Sequence, residues 1–201
     1  MNKRLILASK SPRRSELLKQ VGLDFEVVPS RVKEDFVQKE SPQEHVIRLA
    51  KAKAIDVATG HPDRWVIAAD TIVYINGSIL GKPKDQEEAV EMLRRLSGQE
   101  HWVLTGFFVY HLEKRKGDEE AVQTAVRVKS LTRSEMEWYV KTGEPFDKAG
   151  GYAIQGIGSF MIESISGSYT NVVGLPLCEL LQMLNRLGAI TISESGMRVS
   201  D

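Results

Sequence analysis

The most constraining feature of the sequence is the apolar run from Trp65 to Tyr74. In a β-strand, successive side chains face opposite sides of the sheet, and in this run both sets are apolar. The run therefore predicts a central β-strand that is covered on both faces. Asp70 interrupts the run. A carboxylate inside a covered strand is costly unless it is paired, bound to a metal ion or open to a cleft. Asp70 is therefore either a salt-bridged structural residue or part of a functional site, and both interpretations stay open at this point.

The composition is that of a soluble globular protein, with 42% hydrophobic and 27% charged residues among 201. A chain of this length can form one large α/β domain or two small lobes. Lysine plus arginine and aspartate plus glutamate each total 27, so the formal net charge is zero. A neutral chain lacks the positive field of a duplex nucleic-acid binder, so any anion must be bound by a local cluster of cations.

The sequence favours a cytoplasmic location. It contains no basic segment followed by a long apolar region, and no apolar run of about 18 residues that would cross a membrane. The single cysteine, Cys178, cannot form an intramolecular disulfide, and its apolar helical surroundings predict a small buried thiol. We therefore expect a cytoplasmic protein with no membrane partner and no nucleic-acid partner.

A cluster of positive charge follows the first predicted strand. Leu5–Ala8 leads into Ser9, and the pair Ser11-Pro12 suits the N-cap and first position of a helix. Arg13 and Arg14 then fall in the first turn, where the helix dipole disfavours cations by roughly a few tenths of a kcal/mol. Two arginines are reasonable there if a phosphate binds at the helix N-terminus. The alternative is a solvated basic turn.

Two lysines also occupy unusual positions. A helix opens at the capping box of Ser41 and Glu44, and Lys53 falls in the middle of its apolar face. That side chain either extends along the surface to water or directs its ammonium into a pocket. Lys82 follows the hairpin turn predicted by Asn76-Gly77.

A glycine-rich segment extends from Glu144 to Gly158 and contains four glycines in fifteen residues. Glycines at this density let the backbone approach a ligand closely, or merely permit tight turns. The sequence contains neither a dinucleotide-binding glycine fingerprint nor a Walker A motif.

The remaining pattern alternates strands and helices without an internal repeat or a low-complexity linker. The remaining predicted strands are Phe25–Val28, Val103–Leu112, Ala121–Val128 and Phe160–Ile165. One further helix begins at a predicted capping box of Asp85 and Glu88, and two others span Thr132–Val140 and Pro176–Leu187. We expect a single domain over residues 1–192, made of two lobes, and a flexible tail over residues 193–201.

The unusual positions together predict one kind of chemistry. They supply four cations, Arg13, Arg14, Lys53 and Lys82, and at least two carboxylates near one strand end. Hydrolysis of a phosphoanhydride needs cations to neutralise the phosphates, and a carboxylate to position a divalent ion or accept a proton of water. It also needs small residues where the substrate meets the backbone.

Several motifs occur in order along the chain. They are Ser9-Lys10-Ser11-Pro12-Arg13-Arg14 with Leu17-Leu18, Ala69-Asp70-Thr71, Gly81-Lys82-Pro83, Leu96-Ser97-Gly98, Asp147-Lys148-Ala149-Gly150 with Tyr152, and Ile154-Gln155-Gly156. From about Leu5 to Leu187, this series closely resembles the Maf family of nucleoside triphosphate pyrophosphatases.

The resemblance implies an elongated α/β fold with a mixed sheet, flanking helices and two lobes around a cleft, similar to that of inosine triphosphate pyrophosphatases. It implies cleavage of a nucleoside triphosphate between the α and β phosphorus atoms, with Mg²⁺ or Mn²⁺ as cofactor, and it suggests a homodimer. The family's historical link to septum formation leaves a second hypothesis, a regulator that senses a nucleotide without much turnover. A nucleic-acid-binding module is a third, and the neutral composition argues against it.

The resemblance also implies roles for single residues. Those matching catalytic positions are Asp70, as proton acceptor, with Lys53 and Lys82. Those matching substrate-binding positions are Ser9, Arg13, Arg14, Thr71 and Gln155. The candidate metal ligands are Glu34 and Asp70.

Gln155 favours a pyrimidine substrate. Its amide both donates and accepts, so it can bind O4 and N3–H of uracil or thymine, whereas a carboxylate would suit a guanine edge or a methylated purine. We therefore favour dTTP and UTP as substrates. The branch of the family that acts on 7-methylguanosine triphosphate is the alternative within this enzyme class.

Overall fold

The structure, a computed structural model, describes residues 5–35, 37, 39–193 and 196–200. The strands are β1 (Leu5–Leu7), β2 (Glu26–Val27), β3 (Trp65–Ile75), β4 (Ser78–Leu80), β5 (Glu100–His111), β6 (Lys116–Val128), β7 (Ile162–Ser166), β8 (Ile190–Ser193) and β9 (Gly196–Val199). The α-helices are α1 (Pro12–Gln20), α2 (Pro42–Gly60), α3 (Gln86–Leu96), α4 (Arg133–Lys141), α5 (Tyr169–Val173) and α6 (Leu177–Leu187). Short 3-10 turns cover Glu144–Asp147, Ala149–Gly151 and Gly156–Met161. No helix in the described ranges combines the length and the apolar character that a membrane crossing requires.

The main sheet is mixed and has the strand order β2-β1-β3-β5-β6-β7, with β4 pairing to β3 outside this path. Strand β1 runs parallel to β2 and β3, whereas β4 is antiparallel to β3 and β7 is antiparallel to β6. Strand β3 lies between two neighbours and is buried along nearly its whole length. The structure therefore confirms the predicted mixed α/β sheet with flanking helices, and the central strand predicted from the apolar run.

The chain divides into two compact units, and the division falls inside β3, β5 and β6. The first unit takes the described residues of Met1–Asp70, Thr105–Val122 and Gly174–Asp201, and the second takes Thr71–Leu104 and Gln123–Val173. In the first unit, an alanine-rich face of α2 packs with β1 and β3 in one apolar cluster. In the second unit, residues of α3 and α4 form another apolar cluster with residues of β3 and β6. Each unit thus has its own hydrophobic core.

Helix α2 begins as predicted and approaches the sheet closely. The Ser41 hydroxyl accepts a hydrogen bond from the Glu44 N–H, and the Glu44 carboxylate accepts one from the Ser41 N–H, which confirms the capping box. Gly106 in β5 permits the close approach, because a Cβ there would lie 2.6 Å from the carbonyl carbon of Val46. These contacts fix the helix that carries Lys53.

Two local predictions in the second unit differ from the structure. Asp85 accepts a hydrogen bond from the Glu88 N–H, but the Glu88 carboxylate accepts from the Lys84 N–H and does not return to Asp85. The predicted capping box is therefore only half formed. Strand β7 begins at Ile162, later than predicted, because Phe160 belongs to the preceding 3-10 turn.

The C-terminal part of the chain forms a separate two-stranded sheet. Strand β9 pairs antiparallel with β8, within the segment for which the sequence predicts a flexible tail. The prediction of a buried Cys178 is wrong, since the thiol is exposed. Cys178 lies one turn before Gln182 on the outer face of α6, whereas Leu180 and Leu184 face the core.

Candidate active site

Three charged side chains of the first unit converge on one point. Lys53 projects from α2, and its Nζ donates to Oδ1 of Asp70 at 2.7 Å and to Oε1 of Glu34 at 2.6 Å. The side chains of Lys53 and Asp70 are each 8% exposed, whereas that of Glu34 is 47% exposed. The arrangement is a buried ion pair with a second carboxylate on its solvent-accessible side.

The burial of Lys53 explains why it needs these partners. It lies on the same face of α2 as Ala50 and Ala54, which pack into the apolar cluster of the first unit. An ammonium on that face loses most of its hydration, so it must be paired with carboxylates. The predicted alternative in which the Lys53 side chain extends along the surface to water is therefore wrong. Asp70 is ion-paired with Lys53, and this pairing is compatible with both a structural role and a functional role of Asp70.

Arg14 connects the loop after β1 to the strand that carries Asp70. Its Nη1 donates to Oγ of Ser9 at 3.2 Å and to the carbonyl of Ala69 at 2.9 Å, and its Nε donates to the carbonyl of Gly174 at 2.7 Å. Burial lowers the pKa of Arg14, and the two nearby carboxylates oppose this effect, so the guanidinium remains charged. Its bonds to three protein acceptors show that Arg14 helps to hold the site together.

The loop before α1 is organised by Ser9 more than by the predicted helix cap. Ser11 occupies the N-cap position of α1, but its side chain makes no capping hydrogen bond. The Ser11 N–H instead donates to Oγ of Ser9 at 3.2 Å. Arg13 and Arg14 lie half-buried in the first turn of α1, where the sequence places them.

The other three predicted site residues belong to the second unit. Thr71 directly follows Asp70 in β3. Lys82 is exposed just after β4, and Gln155 is half-buried ahead of the 3-10 turn Gly156–Met161.

Within the second unit, the segment that carries Lys82 lies against the glycine-rich segment. The Gly150 N–H donates to the carbonyl of Gly81 at 2.9 Å. A Cβ at Gly150 would lie 2.9 Å from Cγ2 of Val73, and the φ angle of Gly150 is +72°. Position 150 therefore requires glycine, because a side chain there would collide with Val73 and the backbone has a positive φ angle.

Comparisons with known proteins assign the family. A family model described as Maf-like protein matches residues 4–187. The chain belongs to the Maf family. A dTTP/UTP pyrophosphatase of Syntrophus aciditrophicus is 50% identical over 193 residues, which cover 96% of this chain and 94% of that protein. A dTTP/UTP pyrophosphatase of Geotalea uraniireducens is 53% identical, with 92% of this chain and 96% of that protein covered. The predicted resemblance is thus confirmed.

Among solved structures, the chain is similar to the Staphylococcus aureus Ham1 protein. The two share 18% sequence identity, 79% of each chain is covered, and the TM-score is 0.45.

Two carboxylates of this Maf chain fit a divalent cation. In the part of the chain that the structure describes, no group of three or more His, Cys, Asp or Glu side chains is placed to hold a metal ion. Mg²⁺, however, is usually bound by one or two carboxylates together with substrate phosphates. Glu34 and Asp70 each place an oxygen within 2.7 Å of the Lys53 ammonium, so two hard donors already converge on one cation. The donor set therefore fits a metal ion that binds together with a triphosphate.

Glu144, in the second unit, is a residue that sequence reasoning missed. Its carboxylate accepts hydrogen bonds from Oη of Tyr139 at 2.9 Å, from the Ile157 N–H at 3.0 Å and from the Gly158 N–H at 2.9 Å. Burial by itself would raise the pKa of Glu144, but these donors together lower it. Its backbone partners lie 13 and 14 residues further along the chain, so only the fold reveals them.

Proposed function

We propose that this Maf protein hydrolyses dTTP and UTP to the nucleoside monophosphate and pyrophosphate. The observation that carries the proposal is the buried Lys53–Asp70 pair with Glu34 beside it, in the same unit as the loop of Ser9 and Arg14. In this arrangement the Asp70 carboxylate, as the base, and the Lys53 ammonium lie together near the basic N-terminus of α1. The names of the relatives, dTTP/UTP pyrophosphatase, support the same reaction.

In the proposed reaction, Asp70 is the proton acceptor. A water oxygen bonds to the α-phosphorus, the bond from that phosphorus to the α–β bridging oxygen breaks, and the Asp70 carboxylate takes a proton from the water. Arg13, Lys53 and Lys82 bind triphosphate oxygens and offset the charge that develops on the pyrophosphate. Lys53 also orients the Asp70 carboxylate, because it donates to Oδ1 of that residue.

We further propose Glu34 and Asp70 as the protein ligands of Mg²⁺ or Mn²⁺, which would neutralise phosphate charge and hold the attacking water. Lys53 donates to the same two carboxylates, so its ammonium would give up the bond to Glu34 and donate to the triphosphate when the nucleotide binds, while it keeps its bond to Asp70. The exposed Glu34 can exchange its partner at lower cost than the buried Asp70.

Gln155 is the proposed residue for base choice, together with Thr71 and Arg13. The Gln155 amide can donate to O4 and accept from N3–H of uracil or thymine. Cytosine has an amino group at C4 and no hydrogen on N3, so both hydrogen bonds would be lost with CTP if neighbouring groups hold the Gln155 amide in this orientation. A site that is built to make hydrogen bonds rejects a base that leaves them unmade.

The test is release of pyrophosphate from UTP, dTTP, CTP and 7-methyl-GTP with Mg²⁺ or Mn²⁺. We expect UTP and dTTP to be hydrolysed fastest, and Asp70→Asn to lower their turnover by at least about 10²-fold. Preferred hydrolysis of 7-methyl-GTP would assign the other branch of the family. Nucleotide binding without pyrophosphate release would indicate a sensor, and unchanged turnover by Asp70→Asn would refute the role of that residue.

A further inference from the structure

A carboxylate outside the assigned site holds the segment that carries Gln155. Glu144 begins the 3-10 turn that follows α4, and its Oε1 and Oε2 accept hydrogen bonds from the Gly158 and Ile157 backbone, respectively. The Tyr139 hydroxyl also donates to Oε1, at 2.9 Å. Tyr139 is completely buried in α4, so the carboxylate is fixed to the core of the second unit.

Two glycines follow Gln155 at positions where the protein leaves little room for a side chain. A Cβ at Gly156 would lie 2.7 Å from Oε2 of Glu144, and the φ angle of Gly156 is +69°. A Cβ at Gly158 would lie 2.6 Å from the Ala153 carbonyl oxygen and 2.7 Å from Oη of Tyr139. The backbone on the C-terminal side of Gln155 is thus held closely against Glu144.

The backbone hydrogen bonds to the Glu144 carboxylate are charge-assisted. An ionised carboxylate that accepts from backbone N–H groups forms charge-assisted hydrogen bonds, which are shorter and stronger than neutral ones. The donors keep this carboxyl ionised, as the lowered pKa of Glu144 indicates. The Glu144 side chain therefore restrains the backbone at Ile157 and Gly158 more than a solvated glutamate would.

We propose that Glu144 is a positioning residue that sets the location of the Gln155 amide and, through it, the choice between uracil or thymine and cytosine. This inference rests on the proposed function, in which Gln155 contacts the base. The Gln155 amide must present one donor and one acceptor at fixed places, and hydrogen bonds weaken steeply as their geometry departs from the optimum. Loss of the Glu144 restraint should therefore lower base discrimination more than it lowers turnover of the preferred substrate.

The experiment compares kcat/KM for UTP and CTP in the wild type, Glu144→Gln and a matched control, Glu137→Gln. Glu137 lies on α4 and pairs with Arg133 at the helix surface, where the two side chains are 43% and 89% exposed. We expect the UTP-to-CTP ratio to fall by about 10-fold or more in Glu144→Gln and to stay unchanged in Glu137→Gln. The thermal midpoint of each variant is measured alongside.

A double variant separates positioning from general destabilisation. In a Gln155→Ala background, Glu144→Gln should change the UTP-to-CTP ratio no further, since its effect passes through the amide that has been removed. An unchanged ratio in Glu144→Gln, or independent effects of the two substitutions, would overturn the inference. Should Glu144→Gln not fold, Tyr139→Phe replaces it, because it removes one donor to the carboxylate, and we expect a smaller fall in the same ratio.

The failure of this inference can be distinguished from failure of the proposed function. A wild type that releases no pyrophosphate from UTP, or that hydrolyses CTP as well as UTP, would contradict the proposed function, and the inference with it. A wild type that prefers UTP, with a ratio that Glu144→Gln leaves intact, would contradict the inference alone.

Discussion

Substitution of Lys53 by methionine tests the energetic basis of the site. Methionine keeps most of the volume of the side chain but removes the ammonium, so Asp70 remains as a carboxylate whose side chain is only 8% exposed. Removing one partner of a buried ion pair costs about 3–5 kcal/mol, because the other charge is left without compensation. The bond to Glu34 adds little to this cost, because that side chain is 47% exposed. We therefore expect Lys53→Met to lower the free energy of unfolding by about 3 kcal/mol or more at pH 7.

Urea denaturation followed by far-UV circular dichroism measures this loss. With a slope of about 2–3 kcal/mol/M for a chain of this size, the midpoint should fall by about 1 M or more. Addition of Asp70→Asn to Lys53→Met should restore at least about 1 kcal/mol, because a neutral amide is less costly to bury than a carboxylate. Both variants should lack pyrophosphatase activity. The double variant should therefore regain stability without regaining activity, which distinguishes the two effects of Lys53. A midpoint of Lys53→Met equal to that of the wild type, or a double variant less stable than the single one, would show that Asp70 does not need the Lys53 ammonium to be stable in the folded protein.

Urea denaturation also tests three features of the fold. Ser41→Ala should cost about 1 kcal/mol because it removes a helix cap, whereas Ser11→Ala removes no cap bond and should cost less; equal losses would contradict these cap assignments. Gly106→Ala should cost about 1–3 kcal/mol, because the new Cβ meets the backbone of Val46, and a neutral effect would show that α2 can move away. Burial lowers the pKa of His101 to about 4, so the unfolded state binds more protons between pH 6.5 and 4. Stability should therefore fall by up to about 3 kcal/mol as the pH is lowered through that range. His101→Gln should lack this contribution, and an unchanged pH dependence would contradict it.

Local chemistry determined which element boundaries could be predicted. The capping boxes at Ser41 and Thr132 each join residues three apart, and both of their hydrogen bonds are present. Asp85 has the same residue spacing, yet the Glu88 carboxylate accepts from the Lys84 N–H, which competes for it. A motif of this kind thus predicts where a helix begins more securely than it predicts which hydrogen bonds form.

The site residues differ in how far the sequence could reveal them. Lys53 and Asp70 are charges in apolar surroundings, so each is visible by itself, but their pairing joins positions 17 residues apart and depends on the fold. Glu34 lies in a polar loop where a glutamate is ordinary, and only the family resemblance selects it. Glu144 has no distinguishing signal, because its role comes from backbone donors that a later turn brings back to it.

Arg14 provides the last test, because its geometry separates a structural function from phosphate binding. Its Nε and Nη1 reach three acceptors in different segments, namely Ser9, Ala69 and Gly174. The single ammonium of a lysine cannot reproduce this planar arrangement of donors. Arg14→Lys should therefore lower the free energy of unfolding by about 2–3 kcal/mol.

The matched control for Arg14→Lys is Arg133→Lys, since the Arg133 side chain is 89% exposed and pairs with Glu137 at the helix surface. That exchange should change stability by less than about 0.5 kcal/mol. Because Arg14 holds the carbonyl of the residue before Asp70, we also expect kcat for UTP to fall in Arg14→Lys even at temperatures where the variant is fully folded. An Arg14→Lys protein with wild-type stability and a raised KM alone would show that this arginine serves only the phosphates, and that the loop and strand are held by other contacts.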